Sequence, residues 1–406
     1  MTSQRDYSAL AAKILKFAML PALSAFVPLV AIPVITGNFG GDVWVAIALG
    51  ISIGSAAAVL IEIGWGLNGS IRVARANRAS RKGIFGLALY TKVVMLLISL
   101  VPVVGLCFAV GLDYVELTIT TALAYSLTGL TCSWYFIGIG SPLKILLCEV
   151  GPLILFVLAS CLAIIAFQAP VVTYCIALVL SSSVSVIASC VVERISFFDI
   201  FDHSRLRLFV AFRQQRQALF ARAASALYIA LPVTLVGFFA PGSLLVFSSA
   251  ERMLRMLLSL LQSVPNSFQS YVGEAGNIVV LRRRVKGAVA INVIFGVVAS
   301  LGFGLMAQFG ANVLFSGLVV LPPLVVIFSM IVIFATCCSR AVGSLGLVAF
   351  RDLKSISASA AIGALVGIIG IIVSSIEWGA EGALGAMAAA ELIVLIYQAF
   401  RLFRFF

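Results

Sequence analysis

Apolar runs of about twenty residues, the length that crosses about 30 Å of hydrocarbon, recur from one end of this chain to the other, separated by short polar breaks. The pattern predicts twelve spans, at roughly 14–36, 43–67, 84–110, 115–138, 144–167, 171–192, 223–240, 244–270, 287–309, 313–338, 356–376 and 382–400. The breaks alternate in character. One set (37–42, 111–114, 168–170, 241–243, 310–312 and 377–381) is short and holds Asp42, Asp113, Glu377 and Glu381 but no base. The other set is basic: Arg72, Arg75, Arg78, Arg81 and Lys82; Lys144; Arg282, Arg283, Arg284 and Lys286; Arg340, Arg351 and Lys354; Arg401 and Arg404. All 27 lysines and arginines fall on the basic side or within spans. Basic loops stay on the cytoplasmic face, so the pattern predicts a topology with both termini inside.

The longest polar connection, 193–222, sits at the chain's midpoint and carries Arg194, Arg205, Arg207, Arg213, Arg216 and Arg222. Within it, 204–220 interleaves those arginines with Leu206, Leu208, Phe209, Phe212, Leu219 and Phe220, which reads as a basic amphipathic helix on the inner leaflet. The expected organisation is a six-helix lobe over 1–195, a cytoplasmic linker over 196–222 and a second six-helix lobe over 223–406. Each half starts and ends inside, so the halves would be parallel repeats related by an axis along the membrane normal. A faint internal similarity agrees. Segments 25–50 and 227–250 each pair a proline-containing apolar helix with a Phe–Gly or Phe–Ala–Pro–Gly outer turn. Near the N-terminus, Arg5, Lys13 and Lys16 precede an apolar run over 17–35 that is too long for a signal-peptide core. It holds Pro21, Pro28 and Pro33 and no clear cleavage site, and is expected to be an uncleaved first helix.

Composition narrows the function. At 62% hydrophobic and 10% charged residues, with mean hydropathy +1.18, no stretch is polar enough for a separate soluble domain. The net charge of +12 would suggest nucleic acid in a soluble protein, but the basic-side rule accounts for it here. All eight cysteines lie in predicted spans and none forms a Cys-x-x-Cys pair, so neither a disulfide framework nor a zinc site is expected. His203 is the single histidine, in the middle loop, and no phosphate-cradling glycine loop appears. The expectation is a protein with no catalytic residues, no metal and no cofactor.

Charges inside spans are then the main clue, because they are costly in hydrocarbon. Span eight holds Ser249–Ala250–Glu251–Arg252–Met253–Leu254–Arg255. Counted from Leu244 at 1.5 Å per residue, Arg252 lies about 12 Å deep and Arg255 about 16 Å. Each must face protein or a water-filled cavity. Glu251 and Arg255 are spaced i,i+4 and can neutralise each other. Arg252 then either pairs with an acid on another span or presents its planar guanidinium to a phosphate or pyrophosphate. Lys92, on span three, either lines the same cavity or reaches back to the inner interface. Glu62, on span two one turn before Trp65, and Glu391, in span twelve, are candidate ion-coupling sites or ion-pair partners. Glu149, near the inner end of span five, reads as structural. Pro21, Pro28 and Pro33 on span one and Pro232 on span seven weaken helices at matching places, as hinges or as ordinary tolerated prolines.

Six plus six spans with an arginine-bearing eighth span resemble the polysaccharide flippases of the multidrug/oligosaccharidyl-lipid/polysaccharide exporter superfamily. The resemblance covers nearly the whole chain. It is carried by 28–39 with 42–50, by 62–69 and its basic inner loop, by 134–140 and by 242–255. It implies alternating access around a cationic central cavity in a bacterial inner membrane, moving an undecaprenyl-pyrophosphate-linked oligosaccharide from the cytoplasmic to the periplasmic leaflet. Arg252 and Arg255 match the family's internal positive charge, and Lys92 is a third candidate contact. The implied partners are the lipid-linked sugar, membrane lipids and polysaccharide polymerase machinery, with no nucleic acid. The alternative is a drug or metabolite exporter of the same superfamily. An exporter of organic cations should expose net acid in its cavity, which the internal arginines oppose. A sugar polymerase or ligase would carry a large basic outer loop, and an acyltransferase an intramembrane histidine. Neither is present.

Overall fold

The computed structural model describes residues 2–110, 113–196, 230–273 and 277–406, and among them the regular structure is all helical. Contacts divide the chain into two compact units, Met1–Ala226 and Leu227–Phe406. From residue 197 onward the expected linker, with the amphipathic stretch 204–220 and His203, lies outside the described residues.

Among the described residues the first unit holds nine α-helices: α1 Thr2–Phe39, α2 Gly41–Glu62, α3 Trp65–Arg75, α4 Arg78–Val110, α5 Val115–Leu127, α6 Ser133–Ile139, α7 Pro142–Ile145, α8 Gly151–Phe167 and α9 Val172–Glu193. The second holds α10 Pro232–Phe239, α11 Leu244–Leu261, α12 Ser263–Gly273, α13 Ile278–Leu314, α14 Pro323–Ala341 and α15 Leu353–Phe403. Eight stretches are long and apolar enough to cross a membrane, and Leu23–Phe39 is a shorter apolar helix. One of the eight, α15, is two spans joined at Gly379 (φ 53°, ψ −129°). With α10 and the charged α11, the architecture fits about twelve membrane helices.

Small residues set the packing. In α2, Gly50 and Gly54 sit one turn apart and face α5. A Cβ on Gly50 would lie 2.6 Å from Thr121 Cβ and 2.7 Å from the Thr118 carbonyl, and one on Gly54 would strike the Ala122 carbonyl. The helix backbones therefore touch, the arrangement that replaces hydrophobic drive between helices in lipid. In the second unit the two legs of α15 close the same way, with Gly363 against Val394, Gly370 against Ala386, and a Gln398 Nε2 to Ser359 Oγ hydrogen bond of 2.8 Å. At the turn, Gly379 combines a left-handed φ with a Cβ position already filled by Ser243 Oγ.

The structure moves several boundaries. Helix α13 runs for 37 residues, about 55 Å at 1.5 Å each, so it carries Arg282–Arg283–Arg284–Lys286 well beyond the apolar core. Its far end reaches Leu314, and the base-free turn expected at 310–312 falls after it, before α14. Span eight stops at Leu261 and restarts as α12. Span four is interrupted: α5 ends in a 3₁₀ turn (Thr128–Leu130), Thr131 and Cys132 are non-helical, and α6 begins at Ser133. The prolines behave unequally. Pro28 and Pro33 lie inside a continuous α1, whereas Pro232 starts α10.

Apart from Lys92 in the first unit and Arg252, Arg255 and Arg340 in the second, the described basic residues of each unit gather at one end. Lys82 donates to the Arg194 carbonyl and Lys144 pairs with Glu193 in the first; Arg284 packs on Tyr271 and Lys286 on Phe406 in the second. At that end Asp352 caps α15. It accepts from the Ser355 hydroxyl (2.7 Å) and from Arg401 (3.0 Å). The Ser355 hydrogen bond first, then the arginine, hold its carboxyl below the usual carboxylate range. A depressed folded-state pKa gives stability that is present above the unfolded value and is lost as pH falls through the folded one. Asp352→Asn should therefore fray residues 353–357 at neutral pH, by less than about 1 kcal/mol for a pair that keeps some exposure to water. The wild-type cap should loosen only below about pH 4, where carboxylates ordinarily titrate. Backbone hydrogen exchange of that first turn reads both.

Candidate functional site

Helix α11 carries the densest charge in a predicted span. It is amphipathic, with Phe247, Ala250, Leu254 and Leu258 buried and Arg252, Arg255 and Ser259 on one face at i, i+3 and i+7. It packs most closely on α10, α14 and α15. Arg255 Nε donates to Glu251 Oε1 at 2.6 Å, and the two side chains are 27% and 12% exposed, so the expected i,i+4 pair is formed. Arg252 is different. Its Nε is buried and has no hydrogen-bond partner among the described residues, while the side chain as a whole is half-buried. A buried donor left unsatisfied costs about 1–3 kcal/mol, more when charged. Two guanidiniums and one carboxylate leave α11 with a net positive charge.

The structure adds a residue assigned above to the basic flank after span ten. Arg340 lies in the last turn of α14, donates from Nη1 to the Leu258 carbonyl at 2.9 Å, and interacts electrostatically with Glu391 and Arg255. Glu251, Arg255, Arg340 and Glu391 thus form one network within the second unit, on α11, α14 and α15. Glu391 is half-buried in it. The signal for Arg340 was weak, because an arginine at the end of an apolar run looks like an ordinary basic flank. A groove of about 590 Å³ elsewhere in this unit, lined by Phe328, Val373, Trp378 and small residues, is apolar apart from Ser374 and Glu381 and is unsuited to a phosphate.

In the first unit, Lys92 is 1% exposed. Its Nζ donates to the Thr131 carbonyl at 2.8 Å and lies 5.6 Å from the centre of the Trp134 ring. The side chain is thus folded onto the break of span four, not extended to the basic end. Glu62 is the last residue of α2, half-buried, where Ile63 and Gly64 adopt positive φ and the chain turns into α3. Glu62 and Glu391 lie in different units. Among the described residues no group of three or more metal-ligating side chains occurs.

No known protein family matches the chain by sequence, and no curated protein matches it either. Solved structures do match by shape. The inward closed conformation of the lipid II flippase MurJ is similar at TM-score 0.69 and 13% identity, over 95% of this chain and 87% of that one. An inward-facing multidrug resistance MATE transporter of the MOP superfamily is similar at TM-score 0.67 and 14% identity, over 97% and 98%. A MOP-superfamily transporter from Pyrococcus furiosus, described as having a binding pocket of reverse polarity, is similar at TM-score 0.52 and 14% identity, over 97% and 96%. The chain has the fold of MOP-superfamily transporters and is a multi-pass membrane protein. A fold shared by a lipid flippase and by drug transporters does not choose a substrate.

Proposed function

We propose that this protein moves an anionic lipid-linked sugar, an undecaprenyl-pyrophosphate oligosaccharide, from the cytoplasmic to the periplasmic leaflet of a bacterial inner membrane. The observation that carries this reading is Arg252: a guanidinium within a membrane helix, its Nε buried and unpartnered among the described residues, beside a Glu251–Arg255 pair that already cancels itself. An oxygen of the pyrophosphate would supply the missing acceptor. Arg255, held by Glu251, would keep a second guanidinium one turn away, and a charged acceptor in a dry site favours the planar fork of arginine. The lipid tail stays in the bilayer, and the two halves alternate access, with both termini cytoplasmic and a polysaccharide polymerase receiving the product. Glu62 and Glu391 remain the coupling candidates. Lys92 is left with an internal partner and takes no part in this scheme.

Drug export is the competing reading, since transporters of both kinds share the fold. Net positive charge on α11 favours an anionic cargo. The test is mass spectrometry of lipid-linked intermediates in a strain lacking the protein, complemented with wild type or Arg252→Ala. Undecaprenyl-pyrophosphate oligosaccharide should accumulate without the protein, clear with wild type, and persist with Arg252→Ala at normal protein level. Unchanged intermediates with altered sensitivity to cationic drugs would establish the exporter reading instead.

A further inference from the structure

The break in span four is held by charges from two other helices. Between Thr131 and Cys132 there is one peptide unit, and both of its polar ends are occupied. Lys92, from α4, donates to the Thr131 carbonyl at 2.8 Å. Glu149, from the π-helical turn Leu146–Val150 that leads into α8, accepts from the Cys132 amide at 2.7 Å. The Ser133 amide and hydroxyl also face that carboxylate and, like Lys92, favour its charged form. Glu149 is therefore a cap for α6 supplied from another helix, and Lys92 caps the end of the upper half. A helix start leaves several amides without partners, and a carboxylate there gains from both the hydrogen bonds and the helix dipole. The bulged turn that carries Glu149 is the kind of irregularity that aims a side chain at a functional position.

We propose that Glu149 is a proton-binding site, and that taking up a proton there unfastens α6 from α5. The ionised carboxylate serves the donors around it most strongly, with both oxygens accepting. A proton on one oxygen turns an acceptor into a donor, cancels the attraction of Lys92 and weakens the cap of α6. The groups facing the site are Lys92 of α4; Cys132 and Ser133 at the break; Cys148 beside Glu149 itself; and Cys190 of α9, which interacts with Cys132. Toward the basic end come Lys144, Glu193 and Tyr135. The described side chains of α1, which also packs here, include no titratable group. Glu149 is five residues from Lys144, about 8 Å along the helix, so a proton has a short path from the basic end. This inference does not depend on the cargo.

The test is backbone hydrogen exchange of the full chain in nanodiscs, without substrate, corrected for the chemical effect of pH on exchange. From pH 8 to pH 5, protection over 132–136 should fall at least about tenfold, while α2 stays unchanged as a control. Glu149→Gln should give low, pH-independent protection over 132–136, and Glu149→Asp should keep the pH response. Wild-type protection that ignores pH, or a Glu149→Gln variant that retains the wild-type response, overturns the proposal. If Glu149→Gln fails to fold, the wild-type and Glu149→Asp profiles decide alone. Because no substrate is present, either outcome leaves the flippase reading to its own experiment.

Discussion

Glu251→Gln should lower the amount of folded protein several-fold, and adding Arg255→Gln should restore it. Arg255 Nε and Glu251 Oε1 are 2.6 Å apart inside a helix that must sit in hydrocarbon or protein. Removing one partner strands the other charge, at a cost of about 3 kcal/mol, the lower end for a buried pair because Arg255 keeps some exposure. Arg255 would lose this partner, and it also faces Arg340, so the repulsion between those two is no longer offset by Glu251. Removing both partners leaves neither charge, which is often close to neutral for stability. Transport should part from stability: the double variant, folded and with the same net charge on α11 but without the Arg255 guanidinium, should move substrate more slowly than wild type. Thermal unfolding in detergent measures the first quantity and lipid-linked intermediate levels the second. A double variant as unstable as Glu251→Gln would show that the pair is not the relevant unit. The same double variant at wild-type transport would remove Arg255 from the proposed site.

The pattern of spans was legible because the bilayer imposes it. Twenty apolar residues and base-free turns are local properties, and the base-free turns after α1, α8 and α10 fall where hydropathy places them. The Glu251–Arg255 pair was legible for the same reason, since i,i+4 spacing on a helix is enough to bring the two together. What escaped were contacts between helices. Arg340 meets Glu391 across 51 positions and Lys92 meets Thr131 across 39, and one sequence does not say which spans are neighbours. Glu149 was set aside as structural because its partners, the amides of Cys132 and Ser133, are backbone groups freed by a helix break. The end of α13 was misplaced because 310–312 holds Gly and Asn, loop signals in water, yet the chain stays helical through Leu314 with Ala307 and Ala311 buried.

Gly54→Val should abolish folding of the first unit, whereas Gly105→Ala should leave it intact. Both glycines sit in membrane helices, and composition does not separate them. Around Gly54, an added Cβ strikes the Ala122 carbonyl and comes within 2.7 Å of Tyr125 Cβ. Around Gly105 there is nothing within 4 Å. The obstacle at Gly54 is largely backbone, so no rotamer change can relieve it. Helix α5 would have to move away from α2. That would also break the Thr118 Oγ1 to Ala46 carbonyl hydrogen bond of 3.2 Å and open the Gly50–Thr121 contact. Overpacking usually costs about 1–3 kcal/mol where side chains can yield, and here the cost should exceed that range. Valine adds two methyl groups beyond the clashing Cβ, so Gly54→Ala should fall between the two. At Gly105, alanine meets open space and has a helix propensity about 1 kcal/mol better than glycine, so unfolding temperature should hold or rise slightly. The series Gly105→Ala, Gly54→Ala, Gly54→Val should therefore descend in thermal stability and in membrane yield. Equal stability for Gly105→Ala and Gly54→Ala would mean that α2 and α5 do not meet backbone to backbone.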